Sequence, residues 1–222
     1  MGRPEKPVDI TVPARAKLAE YLRSRKAAAG MTYQALSDLV HGMPSKATLE
    51  RGASGTVVPA WDTVRVFVEK TASTEEDLHN PGETISRAHQ LWVQARRATR
   101  APYYVHKAPD PTLITTRADL SRSLRDQHVW AGYPSPGEME RMLGPGLLPS
   151  TTCRRIIKGM ALPVDTNQMV SFLMACDVPW FMFSAWTDAA DRALRTWPNS
   201  EPPANPHTVP DRYLPSELNQ VA

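Results

Sequence analysis

The chain carries one residue pattern twice, and that constrains its fold more than any other feature. Arg15-Ala16, Leu18, Leu22-Arg23 and Ala29-Gly30 recur as Arg117-Ala118, Leu120, Leu124-Arg125 and Ala131-Gly132, each 102 residues on. Thr48, Arg51, Gly55 and Pro59 recur as Thr152, Arg155, Gly159 and Pro163, now 104 residues on. The added two residues place an insertion in the segment GPGLLPS of the second copy, between its second and third helical segments. Both copies close on an aromatic-rich helix, QLWVQARRA and SAWTDAADRA. Two copies of roughly 80 residues are too few and too long for a solenoid, whose short repeats need at least three copies to bury a core. The pattern therefore predicts a duplicated small domain.

The prolines mark the joints. They number 21 in 222 residues, about twice ordinary usage. They gather at Pro4, Pro7 and Pro13, at Pro102, Pro109 and Pro111, and from Pro198 to Pro215. This divides the chain into a flexible arm (1–13), a first domain (14–99), a linker (100–116), a second domain (117–197) and a tail (198–222). The tail has too few large apolar residues to build a core and is expected to be disordered. The 17-residue linker reaches about 56 Å at ~3.3 Å per residue.

Within each copy the periodicity is helical. In the first, Leu18, Leu22 and Ala29 share a helix face, and Gly30 supplies the stop. Thr32 is placed to cap a helix whose buried stripe is Leu36, Leu39 and Val40. HGMP reads as a turn, and Ser45 caps the short helix SKATLERGAS, in which Leu49 and Ala53 face inward. Trp61, Val64, Val68 and Thr71, then Ile85, Ala88, Trp92 and Ala95, complete five helices. VVPAW and YYVH are too short and too broken by proline to be strands. The expected fold class is all-α, with two tandem five-helix domains.

Charge follows the same division. Residues 1–107 hold 16 Lys and Arg against 11 Asp and Glu, residues 108–197 hold 9 of each, and the tail holds 1 against 3. A basic front half is the asymmetry expected of a chain that meets phosphate there. Cys153 and Cys176 are too few for a disulfide framework and fall on inward helix positions. The opening MGRPEKPVDITVP lacks the apolar stretch of a signal peptide, so a reduced, cytoplasmic location is expected. His41, His79, His89, His106, His128 and His207 show no metal-ligand spacing. There is no phosphate-binding glycine loop, G-x-S-x-G, H-E-x-x-H or C-x-x-C. Neither enzymatic activity, nor a cofactor, nor a metal is expected.

The stretch from Ala29 to Trp61 carries the functional argument. A helix of about eight residues, a tight turn and a second short, capped helix make a helix-turn-helix. The second helix presents Ser45, Lys46, Ala47, Glu50 and Arg51 outward, small and polar enough to enter a major groove. Here the sequence resembles the Xre/Cro/cI helix-turn-helix regulators. More narrowly, it looks like an actinobacterial subgroup with the pattern LAxxLRxLRxxAGLSYxxLA followed by SxSTLSRxxSGxxxPxW. The matching residues include Leu18, Ala19, Leu22, Arg23, Ala29, Gly30, Tyr33, Leu36, Leu49, Pro59 and Trp61. The resemblance covers 14–99 well and 117–195 weakly. It departs at Arg25, where the pattern has Leu and the second copy has Gln127. It implies a lambda-repressor-like bundle in each domain and sequence-specific binding of double-stranded DNA. Residue by residue, it implies that Lys46, Ala47, Glu50 and Arg51 face base edges. Thr32, Tyr33, Thr48 and Ser54 would contact phosphates.

The second copy is degraded, with prolines opening its second helix and a lengthened turn. Yet Ser150, Thr151, Arg154, Arg155 and Lys158 give its third helix more positive charge than the first copy has. It either reads a second half-site or serves packing and dimerisation. In the run MVSFLMACDVPWFMFSAW, Asp177 and Pro179 exclude a membrane span. Met169, Phe172, Leu173 and Cys176 are expected in the core. Trp180, Phe181, Phe183 and Trp186 are also placed there, the alternative being an exposed surface for a homodimer (segment 180–186). Two functions are compared: a DNA-binding transcriptional regulator, and a protein-binding adaptor that keeps the fold without reading DNA.

Overall fold

The computed structural model describes residues 5–72, 81–100 and 107–194; the tail from 198, expected to be disordered, lies outside them. The described residues form ten α-helices and two 3-10 turns, with no strand among them. No helix among them is long and apolar enough to cross a membrane. Contacts divide the chain into two compact units, Met1–Tyr104 and Val105–Ala222.

The first unit holds α1 (Pro13–Ala28), α2 (Tyr33–Asp38), α3 (Lys46–Gly52), α4 (Trp61–Lys70) and α5 (Pro81–Arg100). Local chemistry sets the helix starts. Pro13 opens α1, where its missing N–H costs nothing. The Thr32 hydroxyl accepts from the Ala35 amide at the head of α2, and Ser45 does the same for Thr48 at the head of α3. The turn between α2 and α3 contains a cis Met43–Pro44 peptide. α5 packs on α1 and α4. The core gathers Leu18, Leu22, Leu36, Leu49, Val64, Phe67 and Val68, with Ala88, Trp92 and Ala95 from α5. Leu39, expected in the buried stripe, is 53% exposed. α2 ends at Asp38, so Leu39 falls on the C-cap and turns away from the core.

The second unit holds α6 (Arg117–Trp130), α7 (Pro136–Leu143), α8 (Ser150–Ile157), α9 (Thr166–Ala175) and α10 (Phe183–Leu194). Thr116 and Asp119 form a reciprocal capping box at α6, and Ser135 and Glu138 form another at α7. The prolines at the second helix are thereby accommodated, with Pro136 in its first turn. The inserted GPGLLP segment buries Leu148 and leaves Leu147 56% exposed. Part of the expected linker belongs to this unit. Pro111–Leu113 forms a 3-10 turn against α10, Arg192 donates to the Pro111 carbonyl at 3.1 Å, and Ile114 lies in the core.

The departure at Arg25 and Gln127 has a structural reason. Both side chains are buried, at 7% and 6% exposure. Arg25 Nη2 donates to the Thr71 carbonyl at 3.0 Å, and Gln127 Nε2 donates to the Cys176 carbonyl at 3.0 Å. Thr71 and Cys176 are the C-caps of α4 and α9, whose last carbonyls lack helical donors. Each unit therefore uses the same position of its first helix to satisfy the end of its fourth. A second matched pair, Gly55 and Gly159, has φ of +79° and +70°.

Cys153 and Cys176 are free thiols buried in the second core. Burial pushes the Cys153 thiol up to about 11 and the Cys176 thiol well above its ordinary value. Thiolate is the reactive form, so burial leaves little of it at neutral pH. At pH 8 the native chain should therefore react with a thiol reagent on the order of 100-fold slower than the denatured chain. Rapid stoichiometric labelling of the native protein, followed by absorbance, contradicts this burial.

Candidate nucleic-acid interface

α3 fixes the site by its own periodicity. At about 100° per residue, Lys46, Glu50, Ala47 and Arg51 cover an arc of about 140° on one side of the helix. All four are exposed, while Leu49, Gly52 and Ala53 are buried on the other side. Lys46 and Glu50 form an ion pair of 3.9 Å with both side chains about half exposed, a contact worth only a few tenths of a kcal/mol. Arg51 is exposed and its guanidinium has no partner among the described residues.

These residues open onto a groove of ≈ 910 Å³. Seven of the eight positions expected at the DNA contact line it: Thr32, Tyr33, Lys46, Ala47, Glu50, Arg51 and Ser54. Thr48 does not. Its hydroxyl lies 3.0 Å from that of Ser45 at the helix cap. Thr32 also caps a helix, although its side chain remains exposed. Ser54 Oγ donates to the Arg51 carbonyl at 2.7 Å and lies 2.7 Å from Thr56 Oγ1, closing the end of α3.

Tyr33 differs most from the expected phosphate contact. Its ring is 8% exposed and meets Phe67 edge-on, with centroids 6.2 Å apart. Its hydroxyl donates to the Glu5 carboxylate. Burial, then the Glu5 hydrogen bond and charge, push that hydroxyl far above its ordinary value, so it stays protonated as a donor.

Sequence reasoning missed the other wall of the groove, formed by Glu5, Lys6, Arg23 and Lys26. The arm was expected to be free. From Glu5 onward it lies along the first unit: the Asp9 amide donates to the Ser54 carbonyl at 2.9 Å, and Arg23 Nη1 donates to the Lys6 carbonyl at 2.7 Å. The only signal for Arg23 and Lys26 was their i, i+3 spacing on one face of α1. The groove is lined by Lys6, Arg23, Lys26, Lys46 and Arg51 against Glu5 and Glu50 as its acids.

In the second unit, α8 exposes Thr151, Arg154 and Arg155, and its C-cap Lys158 is exposed too, with Ser150 half-buried and Cys153 and Ile156 facing inward. The aromatic run splits. Trp186 is 1% exposed, Phe183 is half-buried, and Trp180 and Phe181 are 47% and 64% exposed. The expectation that all four enter the core is corrected by the 3-10 turn Trp180–Met182, which precedes α10 and turns the first two outward. Among the described residues no cluster of His, Cys, Asp and Glu is arranged to hold a metal. No protein-family model, no curated protein and no solved structure matches this chain.

Proposed function

We propose that the chain is a sequence-specific DNA-binding transcriptional regulator of the Xre/Cro/cI type. In this reading each unit is a helix-turn-helix domain, and α3 enters the major groove with Lys46, Ala47, Glu50 and Arg51 toward base edges. The single observation that carries it is the groove: α3's outward face opens into a concave surface where five cations face two acids. Arg51, unpartnered among the described residues, is the residue for a guanine edge. The second unit extends the contact through Thr151, Arg154, Arg155 and Lys158, or carries a homodimer contact through Trp180 and Phe181. The protein then works in the cytoplasm, on the nucleoid. The exposed pair Trp180–Phe181, with ring centroids 6.2 Å apart, is also the one observation favouring a protein-binding adaptor.

The test is a gel-shift salt titration on duplexes enriched from a random-sequence pool. Affinity should fall steeply with salt, as counterions are released from neutralised phosphates. Arg51→Ala should weaken binding by about 1–3 kcal/mol and relax the preference at one base pair. Lys46→Ala should weaken it as well. No enrichment from the pool, or binding indifferent to salt and to both substitutions, overturns this function in favour of the adaptor.

A further inference from the structure

Glu5 does not belong to the helix-turn-helix, yet it sits in the groove that α3 opens. Its carboxylate accepts from the Tyr33 hydroxyl, lies 3.1 Å from Arg23 Nε and lies 3.4 Å from Lys26 Nζ. The hydroxyl and the two cations come from α1 and the start of α2 and converge on one anion. They are fixed rather than loose. Arg23 Nε donates to the Ala53 carbonyl at 2.7 Å, and Lys26 Nζ rests 4.4 Å from the Tyr33 ring centroid. The Arg23 and Lys26 side chains are 20% and 16% exposed, well below ordinary surface cations. Two cations and a hydroxyl facing a single carboxylate make a receptor for an oxyanion with charge to spare.

We propose that Arg23, Lys26 and Tyr33 form a subsite for a DNA backbone phosphate, and that Glu5 fills it as an intramolecular competitor which DNA must displace. The inference rests on the function proposed above and adds a regulation to that same groove. The nonbridging oxygens of a phosphodiester present the same monoanionic chemistry as the carboxylate. The site lies in the same groove as Lys46 and Arg51, so a backbone strand crossing the groove passes it. Displacement needs no melting of the unit, because the arm stays anchored at Asp9, four residues on, by its bond to Ser54. The subsite is particular to the first unit. Of the corresponding positions of the second, Arg125 keeps the cation and donates Nε to the Ser121 carbonyl at 3.2 Å, but His128 is buried with Nε2 2.8 Å from the Pro134 carbonyl, and Ser135 caps α7.

An occupied subsite reduces apparent affinity by the fraction of molecules with the arm released. Glu5→Gln should therefore tighten binding to the enriched duplex by about tenfold in a gel-shift titration at fixed salt. Glu20→Gln removes the same charge from an exposed position of α1 outside the groove, and should change affinity by no more than about twofold. In a Lys26→Gln background the Glu5→Gln gain should disappear, since the two act through one contact. Unchanged or weaker binding by Glu5→Gln, with the wild type binding, overturns the competitor and leaves the DNA-binding function standing. An equal gain from Glu20→Gln also overturns it. Absence of binding by both proteins overturns the function and the competitor together.

Discussion

Trp186→Ala should destabilise the second unit by about 3–5 kcal/mol, whereas Trp180→Ala, six residues earlier, should cost within about 0.5 kcal/mol. Trp186 is among the largest fully buried side chains. It shares a core with Leu120, Leu124 and Phe172. The other buried residues of α10 are Ala189, Ala190 and Ala193, too small to fill the space, and its larger core-facing side chains, Phe183 and Leu194, sit at its two ends. A cavity of that size collapses poorly and carries both the lost transfer energy and the lost packing. A loss of 3–5 kcal/mol is a large part of the roughly 5–15 kcal/mol that holds a typical domain. Urea midpoints followed by circular dichroism check it: the Trp180 variant should superimpose on the wild type and the Trp186 variant should shift strongly. Equal shifts would mean that the aromatic run is packed uniformly, contrary to the turn at Trp180–Met182.

The contrast between these two tryptophans shows what sequence periodicity carries. Thr32 and Ser45 were legible as caps because a cap depends on residues three apart in the chain. Met169, Phe172 and Leu173 were legible because α9 is one uninterrupted helix, and Cys176 because it caps that helix on the same face. Trp180 and Phe181 were not, because a 3-10 turn changes the phase between them and α10. Leu39 misled in the same way: helical spacing gives a face but not the residue at which the helix stops.

The errors that matter for the site are tertiary. Arg25 and Gln127 break the apolar pattern of the first helix because a helix end 46 or 49 residues away needs a donor. Glu5 and Asp9 look like parts of a solvated arm because ion pairs and one backbone bond hold them, with no apolar periodicity to register. The outward face of α3 followed from local spacing. The opposite wall of its groove did not, since Arg23 and Lys26 lie about twenty residues upstream of α3 and enter only through the packing of α1.

Gly55 is where the arm and the motif meet, and Gly55→Ala should separate them. Both Gly55 and Gly159 hold φ values in the left-handed region, at +79° and +70°. Alanine there costs about 1–2 kcal/mol in either unit. The surroundings differ. The atoms nearest a Cβ at Gly159 are side-chain atoms of Arg125 and Ser121 at 3.4–3.5 Å, ordinary contact distance. A Cβ at Gly55 meets the Asp9 carbonyl oxygen at 2.7 Å and Val8 Cγ1 at 2.9 Å. Backbone cannot yield there as a side-chain tip can, so the arm has to lift, breaking the 2.9 Å bond from the Asp9 amide to Ser54. That adds about 1–2 kcal/mol for the lost hydrogen bond and contacts. Gly55→Ala should thus cost about 2–4 kcal/mol in total and Gly159→Ala about half as much. Hydrogen exchange separates the causes: the Asp9 amide should lose its protection in Gly55→Ala and keep it in Gly159→Ala. Retained protection in Gly55→Ala would mean that the contact yields elsewhere and that Gly55 does not gate the arm. Loss of protection with the unit still folded would show that the arm lifts at Asp9 without unfolding the first unit.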